Sequence, residues 1–515
     1  MAEGAAPPGN VLFITVDQWR GDCLGIDGHP VVETPTLDRL AREGTRFRRH
    51  HANAAPCGPS RACLYTGTYL MTNRAVLNGT PLDDRFTNVA REARRLGYDP
   101  KLFGYTDSAV DPRGLAPDDP RLFSYEGVLP GFDVVVDLRG EQLGPWADWL
   151  ATMGYDIPER LAELYLPAPV DGASDRAPTW APARYAAEHS EAAFLTGSLI
   201  EWLEAQQAAG AGPWFVHASY IRPHPPYLAP APYHDRYDPA EVPMPVRSDG
   251  LAAERAQHPF AATVLGLDGI RAPKDDDELR QLRATYYGMM SEVDAQLGRL
   301  VDWLADAGEL DRTLVVLTSD HGDQMGDHGL IEKLGYWDES YHVPLIVRDP
   351  SAPPGSRGSA VDRFTEHVDV LPTILDWLGV EAPLQCDGRS LLDFVRGGEP
   401  EAPWRGELHW QWDFRSPRDH VAEDVFGLTM EQCSLDVIRD DRFKYVHFGA
   451  MEPILFDLER DPDQFTNVAR DPDYAEVRAD YAGRLLSWRM RHDERTLTGH
   501  YIDTDGLSIR RDPRV

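Results

Sequence analysis

VLFITVD (residues 11–17) is a short apolar run that ends in an acid. Such a run reads as a strand buried on both faces, the kind found inside a parallel sheet. TLVVLTSD (313–320) repeats the pattern and again ends in an acid. WFVHASY (214–220) and residues 98–104 read as further strands. Helical stretches fall between them. PTLDRLARE (35–43) starts at a proline and places Leu37 and Leu40 on one face. Residues 89–96 and 189–205 read as helices, and 280–307 carries Met289, Val293, Leu297, Leu300, Val301 and Leu304 at three-to-four spacing. Repeated alternation of strand and helix predicts an α/β fold, a sheet covered on both faces by helices.

The chain has 515 residues, enough for one large α/β unit and a smaller one. Segments 111–188 and 222–280 are rich in Pro, Gly and Asp and read as long excursions from the sheet. After about residue 360 the pattern changes. LPTILDWLGV (371–380) reads as a helix, RFKYVHF (442–448) and ILFDLE (454–459) as paired antiparallel strands, and 474–494 as a last amphipathic helix. The expected division is therefore a large catalytic domain, 1–360, and a smaller C-terminal α+β part, 361–515.

Acidic residues outnumber basic ones 84 to 51, a net charge of −33. This lacks the basic footprint of a nucleic-acid binder. It also repels anions at long range, so any anionic substrate must be attracted locally. The five cysteines, Cys23, Cys57, Cys63, Cys386 and Cys433, are odd in number and irregularly spaced, which suggests neither a disulfide framework nor a zinc knuckle. MAEGAAPPGN lacks the basic-then-apolar pattern of a secretory signal, and no stretch approaches a membrane span. The expectation is a cytoplasmic protein with no membrane partner.

Ligands bind outside the carboxyl ends of strands in open parallel sheets. Asp17 and Asp320 stand there, and Asp320 is followed by His321, Gly322, Asp323, Asp327 and His328. Two carboxylates and an imidazole suit a hard or borderline divalent cation. Taken singly, an acid at a strand end is more commonly a helix cap. The sharper feature is Cys57-Gly58-Pro59-Ser60-Arg61, followed by ACLYTGTY. A buried structural cysteine is the plain alternative for Cys57.

CGPSR matches the C-x-P-S-R signature of sulfatases, in the alkaline phosphatase superfamily. VDQWRGD (16–22), FVHASYIRPHPPY (215–227), LTSDHGDQMGDHGLIEK (317–333), HVDVLPTIL (367–375) and ILFDLERDPDQFTNVA (454–469) resemble further landmarks of that family, in the same order. The resemblance implies an alkaline phosphatase-like mixed sheet flanked by helices. It implies a formylglycine-generating enzyme as a partner, which oxidises Cys57 to an aldehyde. The hydrated aldehyde is a geminal diol. One hydroxyl, ionised on the metal, attacks sulfur or phosphorus, and the other expels the inorganic product, which a serine could not do. By the same resemblance Asp17, Asp320, His321 and modified Cys57 hold the metal, and Arg61 neutralises and tethers the nucleophile. Lys333 and His217 bind the charged oxygens and help protonate the departing alcohol. His217 has a rival reading as a core histidine, and His224 reads as loop structure. The nucleophile falls at a predicted helix start, where backbone N–H groups favour an anion.

Gln18, Asn78 and Tyr105 resemble the substrate-binding residues of the phosphonate monoester hydrolase branch, whose members cleave phosphonate monoesters and phosphodiesters and accept sulfate esters. Asp107 stands where that branch has threonine. A carboxylate there repels a doubly charged phosphoryl group more than a singly charged sulfate ester. It is a candidate base for the second half of the reaction, with loop capping an equal alternative. The functional expectation is a sulfuric-ester hydrolase of arylsulfatase type, and the alternative a phosphonate monoesterase or phosphodiesterase with the same residues. A phosphoryl mutase or transferase would use Ser or Thr, and a degenerate binding module would lack part of this set. The histidine ligand shifts the expected metal from calcium or magnesium towards manganese. The tail, 495–515, suggests by resemblance an arm that embraces a second subunit in a homodimer or homotetramer, with a frayed terminus as the alternative.

Overall fold

In the computed structural model, which describes residues 9–139, 143–173, 176–248 and 250–509, Asn10–Val16 is a strand buried at every position. Its side chains alternate. Leu12, Ile14 and Val16 enter one core cluster, while Val11 and Phe13 enter another. Thr313–Ser319 divides its side chains the same way. A period of two with both phases apolar requires cover on both sheet faces.

The strands of the first part, in chain order, are β1 (Asn10–Val16), β2 (Thr45–Phe47), β3 (His50–His51), β4 (Lys101–Gly104), β5 (Asp133–Asp137), β6 (Phe215–Tyr220), β7 (Thr313–Ser319), β8 (Leu345–Arg348), β9 (Ser359–Val361) and β10 (Thr365–Glu366). Eight of them form one sheet in the order β5-β4-β6-β1-β7-β8-β2-β9. The pairs from β5 to β7 are parallel, whereas β8 is antiparallel to both β7 and β2. The sheet is therefore mixed, as the family resemblance implies, and not parallel throughout.

One face is covered by Pro35–Glu43, Glu191–Ala208 and the 31-residue helix Asp276–Asp306. That long helix begins four residues before the apolar periodicity starts. Asp275 caps it, accepting the N–H groups of Asp277 and Glu278 at 3.0 Å. The other face is covered by Cys57–Thr66, Val89–Arg95 and Val370–Trp377. Val370, Leu371, Ile374 and Leu375 pack with Val11 and Phe13. Residues just past the expected 360/361 division thus belong to the core of the large sheet.

A separate antiparallel sheet follows, β11 (Leu408–Asp413), β12 (Ser434–Arg439), β13 (Phe443–Phe448) and β14 (Ile454–Asp457). Ala475–Arg491 lays Tyr481, Leu485 and Trp488 against Phe443 and Tyr445 of that sheet. In the tail, β15 (His500–Asp503) and β16 (Gly506–Ile509) pair as a hairpin with Tyr501, Ile502, Leu507 and Ile509 more than half exposed. Residues 510–515 of the expected tail, and 1–8 at the start, lie outside the described residues. Among the described residues, no helix is long and apolar enough to cross a membrane.

Candidate active site

Strand register builds the site. Val16 of β1 lies opposite Ser319 of β7 and Tyr220 of β6. The next residues on β1 and β7 are Asp17 and Asp320, so two acids distant in sequence emerge side by side. Cys57 starts the helix Cys57–Thr66. The ligand atoms of Asp17, Cys57, Asp320 and His321 all lie within 4.8 Å of one another, and all four residues are buried.

The atoms within this cluster are oriented. Asp320 Oδ1 accepts the N–H groups of Gln18 at 3.1 Å and His321 at 3.0 Å, and its Oδ2 accepts Arg61 Nε at 2.8 Å. Asp17 Oδ2 accepts Arg61 Nη2 at 3.1 Å and the Tyr105 hydroxyl. Asp17 Oδ1 is left facing Cys57 Sγ at 3.9 Å and His321 Nε2 at 3.7 Å. His321 Nδ1 lies 3.0 Å from the Gly322 carbonyl, which only an N–H can satisfy. That bond leaves the Nε2 lone pair directed at the cluster, 3.1 Å from Cys57 Sγ.

This donor set fits a divalent cation. It offers carboxylate oxygens, one imidazole nitrogen and one further group at residue 57, all converging on one small volume. Burial pushes the Asp17 carboxyl up, but His321, Arg61 and Lys333 outweigh it and hold the group below the usual carboxylate range. Burial and then the Asp17 charge push the Cys57 thiol well above its ordinary range. Unaltered, Cys57 is a poor nucleophile. It is not, however, buried in hydrocarbon; it faces the acids and the imidazole.

Arg61 is fully buried. Besides the two aspartates it donates to Ser219 Oγ at 2.8 Å, and its guanidinium lies over the Tyr105 ring. Its other hydrogen bonds go to the Tyr65 hydroxyl at 3.3 Å and to the Tyr105 carbonyl and hydroxyl. It therefore fixes the two carboxylates beside Cys57. Tyr105 is likewise committed to Asp17 and Arg61. Asn78 Oδ1 accepts the Gly58 N–H at 2.9 Å, in the first turn of the nucleophile helix.

Gln18, in the left-handed region at φ 67°, connects three parts of the site. Its Nε2 donates to Asp323 Oδ2 at 2.5 Å, and its Oε1 accepts Lys333 Nζ at 2.6 Å. Asp323, also held by the Tyr227 hydroxyl at 2.7 Å, supports this link and stands outside the ligand cluster. Asp327 pairs with Arg20, and His328 bonds Glu254 at 3.0 Å.

His217 is misplaced in the sequence reading. It pairs with Phe13 on the sheet, four residues before Asp17 on the neighbouring strand. At about 3.3 Å per residue this is more than 10 Å below the strand ends. Its Nδ1 donates to the Phe13 carbonyl at 3.0 Å, its Nε2 meets the Tyr65 hydroxyl at 2.9 Å, and it stacks on Phe13 and Phe132. Burial lowers it to about 3. It is a neutral core histidine. The histidine beside Lys333 is His224, whose Nε2 lies 2.9 Å from Nζ. Its signal was the strand-to-loop position in RPHPPY, which proximity to a second His obscured. Burial, followed by the Lys333 charge, lowers His224 to about 3.

Asp107 lies beyond β4, in the left-handed region at φ 49°, and is 5% exposed. Its Oδ1 has no hydrogen-bond partner. Burial raises this carboxyl to about 8.

A sulfatase family model matches residues 9–380. The chain belongs to the sulfatase family. A second model, for the C-terminal part of N-sulphoglucosamine sulphohydrolase, matches residues 326–491 of this sulfatase. It is 42% identical to the multifunctional alkaline phosphatase superfamily protein PehA of Trinickia caryophylli, over 97% of this chain and 99% of that protein. The phosphonate monoester hydrolase of Agrobacterium radiobacter superimposes with a TM-score of 0.92 at 44% identity, covering 98% of this chain and all of the other. An arylsulfatase of Clostridium perfringens is 28% identical over 93% of both chains. Membership of the sulfatase family implies a metal ion and a formylglycine derived from cysteine, and the cluster around Cys57 accommodates both.

Proposed function

We propose that this sulfatase hydrolyses sulfate monoesters, and with the same site phosphonate monoesters and phosphodiesters. The observation that carries the reading is the convergence of Asp17, Cys57, Asp320 and His321 within 4.8 Å, with Arg61 joining the two acids. The three ester classes share one feature, a single negative charge. The unpartnered Asp107 carboxyl, raised to about 8 by burial, disfavours a doubly charged phosphate monoester beside the nucleophile increasingly as it ionises towards and above that pH. The resemblance to PehA and to the phosphonate monoester hydrolase supports including phosphorus esters.

In this assignment Asp17, Asp320, His321 and residue 57 hold the cation, and His321 favours manganese over calcium or magnesium. Formylglycine at residue 57 supplies a hydrated aldehyde whose oxygen is the nucleophile. Arg61 and Tyr105 hold the carboxylates still. Lys333, positioned by Gln18, aims its charge at the ester's non-bridging oxygens. His224 Nε2, which touches Lys333 Nζ, is placed to relay a proton to the departing alcohol. Asn78 orients the first turn of the nucleophile helix. Asp107 acts as the base that lets residue 57 release its product.

The catalytic residues all precede residue 360, which supports assigning catalysis to 1–360 and assembly to 361–515. The exposed apolar hairpin β15–β16 supports a homodimer or homotetramer joined through the tail. Five unpaired cysteines support a reducing, cytoplasmic setting and access to a formylglycine-generating enzyme there.

The decisive experiment has two arms. Mass spectrometry of the Cys57 peptide should show the lighter aldehyde or its hydrate. The purified protein, loaded with manganese, calcium or magnesium in turn, should cleave an aryl sulfate, an aryl phosphonate monoester and a phosphodiester, but not an aryl phosphate monoester at a comparable rate. An unmodified thiol in a protein that nonetheless turns these esters over would overturn the assignment.

A further inference from the structure

The loop that carries His224 is poorly equipped to hold itself. RPHPPY (222–227) contains Pro223, Pro225 and Pro226, which have no N–H to donate. The His224 N–H donates to the Ile221 carbonyl at 2.9 Å. Beyond that bond, side chains fasten the loop near its two ends. Arg222 is 5% exposed, and its Nη1 donates to the His224 carbonyl at 2.7 Å and to the Pro226 carbonyl at 2.9 Å. Both hydrogens of that nitrogen are thus given to the loop. At the other end the Tyr227 hydroxyl donates to Asp323 at 2.7 Å, the carboxylate that also receives Gln18.

Arg222 lines a small cavity together with Glu191 and Glu292. Each acid takes a hydroxyl instead of the guanidinium. Tyr165 donates to Glu191, and Ser190 Oγ donates to Glu292 at 2.5 Å. Arg222 Nη2 has no hydrogen-bond partner among the described residues. An arginine buried only to neutralise carboxylates would pair with them. This one leaves Nη2 without a partner and directs Nη1 to backbone carbonyls at His224. The Tyr165 ring, 4.6 Å from the guanidinium carbon, supports it by a cation–π contact. His224 is oriented in turn. Its Nδ1 lies 2.7 Å from the Pro225 carbonyl, which only an N–H can satisfy, so the Nε2 lone pair faces Lys333 Nζ at 2.9 Å. Pro225 stands between the two residues whose carbonyls Arg222 holds, so one guanidinium fixes the backbone on both sides of the ring's anchor.

Resting on the hydrolase reading above, with His224 as the proton relay, we infer that Arg222 is a positioning residue for departure of the alcohol: it holds the His224 and Pro226 carbonyls so that His224 Nε2 stays against Lys333 Nζ. An alcohol that leaves readily as an anion needs little from that proton, whereas a more basic one depends on it. A displacement of His224 by about 1 Å therefore slows esters of basic alcohols and largely spares the others.

The test uses the metal-loaded, Cys57-oxidised protein and two esters, 4-nitrophenyl sulfate, whose alcohol is weakly basic, and phenyl sulfate, whose alcohol is more basic. The readout is kcat/KM, which reports the step that expels the alcohol. Arg222→Gln should lower it for phenyl sulfate about tenfold relative to 4-nitrophenyl sulfate. In a His224→Ala background the same substitution should move that ratio no further, an outcome that a merely structural role does not give. Tyr165→Leu, at a partly buried position, should shift the ratio severalfold in the same direction, and it decides the matter alone where Arg222→Gln does not fold. A ratio unmoved in the folded variants, or an equal shift with and without His224, overturns the positioning role and leaves the hydrolase reading intact. A ratio unmoved by His224→Ala overturns the relay and the role of Arg222 with it. Turnover of neither ester by the parent overturns the hydrolase reading itself.

Discussion

Arg61 Nε donates to Asp320 Oδ2 at 2.8 Å while its Nη2 donates to Asp17 Oδ2 at 3.1 Å, so one buried guanidinium sets the spacing of the two strand-end acids. Only a planar, forked cation can serve both oxygens together. Arg61→Lys should therefore keep the charge and lose the geometry. The expected cost is about 3 kcal/mol in transition-state stabilisation, a hundredfold or more in kcat/KM, with reduced metal content. Parent-like kinetics and metal content in Arg61→Lys would mean that the fork has no role.

The nitrogen ligand can be tested separately. His321→Asn exchanges an imidazole for an amide oxygen in the same place. Oxygen ligands suit calcium and magnesium better than manganese. Affinity for manganese should fall tenfold or more while calcium is retained, read by metal analysis after dialysis. An unchanged metal preference would remove His321 from the ligand set.

Asp107 should show opposite effects on stability and turnover. Its folded carboxyl is raised from 3.8 to about 8, first by burial. For an acid raised in this way the folded state binds the proton more tightly than the unfolded chain does. Stability therefore falls as pH rises from about 4 to about 8, by on the order of a few kcal/mol. In metal-free protein, Asp107→Asn should leave Tm unchanged below pH 4 and raise it progressively towards pH 8. The same variant should lose sulfate-ester turnover and accumulate sulfate on the Cys57 peptide. Undiminished turnover without that adduct would leave Asp107 a loop residue.

The tail makes a claim about assembly. Truncation after Arg495 removes a hairpin that presents Tyr501, Ile502, Leu507 and Ile509 to solvent. Sedimentation should then show a smaller species with little change in Tm, because these side chains stabilise little within the monomer. Identical sedimentation of full-length and truncated chains would assign assembly to another surface.

Much of this was readable before any coordinates. The strands carrying Asp17 and Asp320 announce themselves because runs buried on both faces are almost wholly apolar, and the acids that end them are conspicuous. The Cys57 motif and the pair Asp320-His321 are contiguous, so local sequence suffices to propose them. His217 and His224 could not be sorted in this way. They are seven positions apart, but one sits within β6 and the other in the loop beyond its end, and only the register with Phe13 places His217 deep in the core. The partners of Arg61 were equally hidden, since nothing local says which carboxylates a buried arginine will meet. The division near 360 was drawn from a change in pattern, yet Val370–Trp377 still belongs to the first core because packing, and not composition, assigns a helix to a sheet face.

By itself the sequence determined which residue types are available and where strands end, since both follow from short-range apolar patterning and from contiguous motifs. Tertiary structure alone decided that Asp17 and Asp320 share one arginine, that Lys333 meets His224 rather than His217, and that Asp107 is buried with an oxygen lacking a hydrogen-bond partner. These are contacts across long loops, and their geometry is set by strand register and close packing rather than by any spacing along the chain.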